Sequence, residues 1–168
     1  MTANPCLFIC RRMGYHGADS LLRAAAVPWR SVDRCALPFT MRIAFLHYHL
    51  KPGGVTTVIR RQVAALKGIA EVLVLTGEPA PPGFQAPAVH IPALAYDRLR
   101  DPGWNPDTIA AEVRRAVTRH WPGGCDLLHV HNPTLAKNRL MPAALERLRQ
   151  EGVRLFLQVH DFAEDGRP

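Results

Sequence analysis

The sequence predicts an α/β fold, a parallel sheet with helices packed on both faces, and two observations carry that prediction. From Met41 onward, short apolar runs alternate with segments of helical period. Between them stand the residues such an alternation needs: Pro52-Gly53-Gly54 after the first run, Gly68 after the first helical segment, Asn105-Pro106 before the second and Gly152 after the third.

The elements follow in order. RIAFLH (42–47) is a run suited to a strand buried on both faces. Beyond the Pro-Gly-Gly turn, Val55, Val58, Ile59, Val63 and Leu66 form one stripe of a helix, with Arg60, Arg61 and Lys67 mostly off it. Gly68 sits where a C-cap glycine belongs. EVLVLT (71–76) is the second strand, and the proline-rich loop GEPAPPGFQAP leads to a short third strand around VHIP (89–92). A long irregular connection, ALAYDRLRDPGW, precedes a helix with Asn105 as N-cap, Pro106 at its first position and Ile109, Val113 and Val117 on one face. DLLHVH (126–131) is the fourth strand. Asn138 is expected to cap the next helix, which tolerates Pro142 only in its first turn and which Gly152 closes. RLFLQVH (154–160) is the fifth strand. Strand–helix alternation without an internal repeat makes this a Rossmann-like domain.

Composition bounds the rest. With 168 residues, 48% hydrophobic and 21% charged, the chain has room for one ordinary domain and no apolar run of the roughly 20 residues a membrane span needs. The net charge of +7 does not imply a nucleic-acid partner: the basic residues are scattered and not interleaved with aromatics. All but Lys51, Lys67 and Lys137 are arginine, which reads as the codon bias of a GC-rich genome. Cys6, Cys10, Cys35 and Cys125 contain no CxxC pair. A zinc site from Cys6, Cys10, His16 and Cys35 fits no common finger, and free thiols in a cytoplasmic protein are the simpler reading. Residues 1–40 lack lysine, glutamate and sustained periodicity, so we expect Met41 to be the natural start and the preceding stretch a non-native or disordered extension. A basic, acid-poor targeting leader and a small accessory subdomain are the rivals.

In an open parallel sheet, ligands bind beyond the carboxyl ends of the strands, where the strand order reverses. For an order 3-2-1-4-5 that point lies between the first and fourth strands. Five of the eight histidines gather at this edge: His47, His49, His129, His131 and His160. Three chemistries compete for it. Gly53 and Gly54 at a helix start suit a phosphate, although many such turns need glycine only for a positive φ. The two His-x-His pairs, with Asp161, suit a metal-dependent hydrolase. His160 suits hydrogen bonding or proton transfer on a polar substrate such as a sugar.

Three stretches, MRIAFLHYHLKPGGVTTVIRRQVAAL, DLLHVHNPTLAKN and LQVHDFAEDGRP, together resemble the N-terminal domain of GT-B-fold retaining glycosyltransferases, specifically glycosyltransferase family 4. The resemblance covers residues 41–168. It implies two Rossmann-like domains facing across a cleft, the N-terminal one on the acceptor side. It further implies that His160 contacts the donor sugar and that Asp161 lines the same cleft, the two catalytic candidates. The Gly53-Gly54 turn would face the donor phosphates, and His49, His131 and Asn132 would line the cleft toward the acceptor. The implied partners are a nucleotide-sugar donor and a carbohydrate or lipid-linked acceptor, the latter with peripheral membrane association; no other cofactor and no metal is implied. The family's Glu-x7-Glu donor motif is absent, because no two glutamates have that separation. The chain therefore reads as an incomplete domain that needs a donor domain in cis or in trans and is inactive alone. The rival readings are the metal-dependent hydrolase and a non-catalytic nucleotide-binding module.

Overall fold

The structure, a computed structural model, describes residues 40–161. The expectations for the N-terminal extension, for the cysteines before Met41 and for the segment after Asp161 lie outside the described residues.

The domain is a five-stranded parallel sheet in the order β3-β2-β1-β4-β5. Its elements are β1 (Met41–His47), α1 (Gly54–Leu66), β2 (Ala70–Thr76), β3 (Ala88–His90), α2 (Pro106–His120), β4 (Leu127–His131), α3 (Met141–Gln150) and β5 (Leu155–Gln158). The strand order reverses at β1. Alternation along each strand then divides the core into two layers. Ala44, Leu46, Leu73, Leu75, Leu128 and Val130 face α2 and α3. Ile43, Phe45 and Val74 face α1, where Ile59 and Val63 meet them. The parallel Rossmann-like sheet with helices on both faces is thus the observed fold.

Local chemistry explains the boundaries. Asn105 Oδ1 accepts from the Thr108 amide at 2.9 Å while Thr108 Oγ1 accepts from the Asn105 amide at 3.0 Å, a reciprocal cap with Pro106 behind it. Helix α3 ends in a left-handed Gly152 (φ 89°), with the Val153 amide donating to the Leu148 carbonyl and the Gly152 amide to that of Arg149. Gly68 (φ 75°) follows the C-cap Lys67 of α1.

Two expectations need correction. Asn138 is not the N-cap of α3, which is Leu140; it stands two residues earlier, and its Oδ1 accepts from the Leu140 amide at 3.2 Å. Asn138 is fully buried, and its Nδ2 donates to the Ala93 and Ala95 carbonyls at 2.9 Å each. That clamps the connection after β3, which contains two 3-10 turns, Pro92–Leu94 and Asp97–Leu99, where the sequence suggested irregular chain. The glycine this region cannot do without is Gly77. A Cβ there would lie 2.2 Å from the Ala95 amide nitrogen, so the end of β2 and the first 3-10 turn close on each other only without a side chain.

Candidate functional site

The carboxyl edge of the sheet carries the candidate site, and strand register determines which histidines meet. His47, His129 and His131 point to the α1 face, alternating with the Leu46, Leu128 and Val130 side chains that point to the other. His129 and His131 stack nearly parallel at 4.5 Å and 16°, whereas His131 and His160 lie nearly coplanar, 5.1 Å and 10° apart, and meet edge to edge through their nitrogens. Three imidazoles therefore form a ladder across β4 and the end of β5. Phe45 packs against the two on β4, and His47 closes the row from β1.

The nitrogens of the ladder are largely committed. His47 Nδ1 donates to the His131 carbonyl at 3.3 Å. His129 Nε2 donates to Gln158 Oε1 at 2.9 Å, an oxygen that also accepts from Gln62 of α1 at 3.0 Å. His131 Nδ1 lies 2.8 Å from His160 Nε2, while His131 Nε2 is buried and has no partner. Burial disfavours the imidazolium, pulling His131 down to about 3 and His47 down to about 4, and it lowers His129 as well. These rings are neutral at physiological pH.

Asn132 fixes the end of β5. Its Oδ1 accepts from the His160 amide at 2.6 Å and from the Asp161 amide at 3.3 Å, and its Nδ2 donates to Asp161 Oδ2 at 3.0 Å. Its backbone amide donates to the Gln158 carbonyl, and its carbonyl accepts from the Tyr48 hydroxyl at 2.9 Å. The residue sits in the left-handed region (φ 51°), which asparagine tolerates better than most side chains. One residue thus joins β1, β4 and β5 and holds His160 and Asp161 half-buried at the rim.

The expected cleft lining is therefore revised. His131 and Asn132 are each 1% exposed and shape the edge from beneath. His49 is half-buried and turns to the Tyr96 hydroxyl at 3.1 Å, where burial lowers its pKa. His49, His160 and Asp161, all half-buried, and the exposed glycine turn are the expected site residues that reach the surface.

The turn itself gives an unexpected result. Neither Gly53, which is extended (φ 170°), nor Gly54, the first residue of α1, lies in the left-handed region that favours glycine. A Cβ on Gly54 would meet nothing within 4 Å, and one on Gly53 would meet only the Lys51 carbonyl at 3.9 Å. No contact inside the domain requires a glycine at either place. Lys51, Pro52, Gly53 and Gly54 are exposed, and the first turn of α1 begins there with the positive end of its helix dipole.

Among the described residues no group of three or more His, Cys, Asp or Glu side chains is disposed to hold a metal ion. Grooves of about 410 Å³ between β3 and α2 and about 490 Å³ between α1 and β2 are lined by none of the five clustered histidines. Among the described residues no helix is long and apolar enough to cross a membrane.

The residues missed in the sequence are Gln62, Gln158 and Tyr48. Gln62 and Gln158 carry no motif, and their side chains meet at 3.0 Å between α1 and β5 across 96 residues of sequence, an approach no local pattern reveals. Compared with protein-family models and with curated proteins, the chain matches none of them.

Proposed function

We propose that residues 40–161 are the acceptor-side domain of a retaining glycosyltransferase and bind the phosphates and sugar of a nucleotide-sugar donor at the carboxyl edge of the sheet. One observation carries the reading. Two glycines that no intramolecular contact requires open the N-terminus of α1 at the reversal point of the sheet, the same edge at which Asn132 holds His160 and Asp161. Helix-terminal amides and side-chain-free backbone suit close approach by a diphosphate. A half-buried imidazole beside a carboxylate suits the hydroxyls of a sugar. The edge is an open rim, as expected of a surface that a second, donor-binding domain completes.

Calorimetric titration of the full chain with a nucleoside diphosphate, the corresponding nucleotide-hexoses and the phosphate-free nucleoside tests this reading. Binding that requires the diphosphate and strengthens with the sugar is expected. Binding of the nucleoside alone, or no heat with any of them at millimolar ligand, would overturn it. Sugar transfer by the purified chain would refute the division of labour between two domains.

A further inference from the structure

We infer that His131 is a positioning residue that locks His160 in one tautomer, with Nε2 as the acceptor of the His131–His160 hydrogen bond and Nδ1–H as the donor left for a ligand. The inference deepens the proposed site. It rests on that reading for what the donor serves, but not for the tautomer itself.

The argument is an accounting of protons. His131 Nδ1 and His160 Nε2 are 2.8 Å apart, so one nitrogen carries the hydrogen and the other the lone pair. If His160 donated, a neutral His131 would carry its proton on Nε2. That nitrogen is buried and unpartnered, and the residue is 1% exposed. A stranded buried N–H is rarer and costlier than a bare buried lone pair. A doubly protonated His131 would be a buried cation stacked on the His129 ring, edge to edge with His160 and in contact with Phe45. The arrangement that strands no hydrogen has His131 Nδ1–H donating to His160 Nε2. The burial that keeps His131 neutral supports the same assignment. The groups around it hold the geometry: His129 stacks on a face of His131, and Asn132 fixes the backbone of His160.

The consequence concerns the ligand. His160, held by its Nε2, has Nδ1 unbonded among the described residues. In this tautomer Nδ1 is a donor in the neutral ring as well as in the cation. The site then selects an oxygen acceptor, such as a sugar hydroxyl or a phosphate oxygen, and His160 is not poised to remove a proton through that nitrogen. Its role is donation.

Long-range proton–nitrogen correlation spectra of the ¹⁵N-histidine-labelled full chain, without ligand, read the tautomer of each ring directly. The expected result is an Nδ1–H tautomer at His160, lost in His131→Phe, which preserves ring shape and removes the donor. His131→Asn, whose amide can donate from a similar place, restores it. An Nε2–H tautomer at His160 in the unmodified chain overturns the inference. So does an Nδ1–H tautomer that persists in His131→Phe. Neither outcome depends on whether the chain binds a nucleotide sugar, so a failure here is distinguishable from a failure of the proposed function.

Discussion

Asn132 is the residue whose removal tests the construction of the edge most severely. In Asn132→Ala the His160 and Asp161 amides lose their shared acceptor. A typical hydrogen bond contributes about 0.5–1.5 kcal/mol net. The bond to the half-buried Asp161 carboxylate adds about 1 kcal/mol after solvent screening. Alanine must also take the left-handed backbone (φ 51°) at about 1–2 kcal/mol. Water re-pairs some of the rim groups, so we expect a loss of about 3 kcal/mol in urea unfolding of the full chain. Asn132→Gly separates the contributions: it removes the same side-chain bonds but relieves the backbone, net of glycine's greater entropy when unfolded. It is expected to be about 1 kcal/mol more stable than Asn132→Ala. A change within about 0.5 kcal/mol for Asn132→Ala, the range of an ordinary surface substitution, would refute the keystone role. Equal stability of the two variants would refute the backbone component alone.

Other substitutions have equally definite outcomes. Gly77→Ala forces a Cβ to 2.2 Å from the Ala95 backbone and is expected to cost at least about 1–3 kcal/mol, read as a lowered thermal midpoint. Gly54→Ala enters open space, so its stability is expected to be unchanged or up to about 1 kcal/mol higher, while diphosphate affinity falls; an equal loss of stability would mean the turn is packed after all. The buried histidines make stability pH-dependent. His131 and His47 are depressed in the folded state to about 3 and about 4 from the ordinary 6.5, so the unfolded chain binds more protons between those values. Stability is full above pH 6.5 and falls as the pH drops toward 4, by up to about 1.4 kcal/mol per pH unit for each ring. Denaturant midpoints that stay flat from pH 7 to 5 would contradict it. Finally, Phe156, Leu157 and Val159 are 51%, 48% and 39% exposed on the β5 edge, so we expect concentration-dependent association that Leu157→Lys reduces in light scattering. A sharp, concentration-independent unfolding transition of the unmodified chain would argue against it.

Much of the fold was readable because local signals and burial agree. The apolar runs, Asn105-Pro106, Gly68 and Gly152 each have a local cause, and the structure uses each one as the sequence suggested. What stayed hidden depends on long-range approach. Asn138 uses its Oδ1 locally, accepting from the Leu140 amide just ahead of α3, but its Nδ2 bonds carbonyls 43 and 45 residues away, which no local signal announces. Gly77 looked like any loop glycine, although it is the one that backbone packing requires. At the site, the clustering of five histidines was legible from strand ends, but their directions were not. Period-two alternation placed His129 and His131 on one face without saying that they would stack, or that burial would make His131 and Asn132 supports for His160. The glycines of the turn were ambiguous between a positive φ and an approaching ligand until their torsions were known.

The most direct test of the central claim is to map backbone amide shifts of the ¹⁵N-labelled full chain during titration with a nucleotide-hexose. The account predicts that Gly53, Gly54 and Val55 move together with His160 and Asp161, and that Gly54→Ala attenuates the whole set. Shifts confined to the groove between β3 and α2, or absent from the glycine turn at saturating ligand, would contradict it.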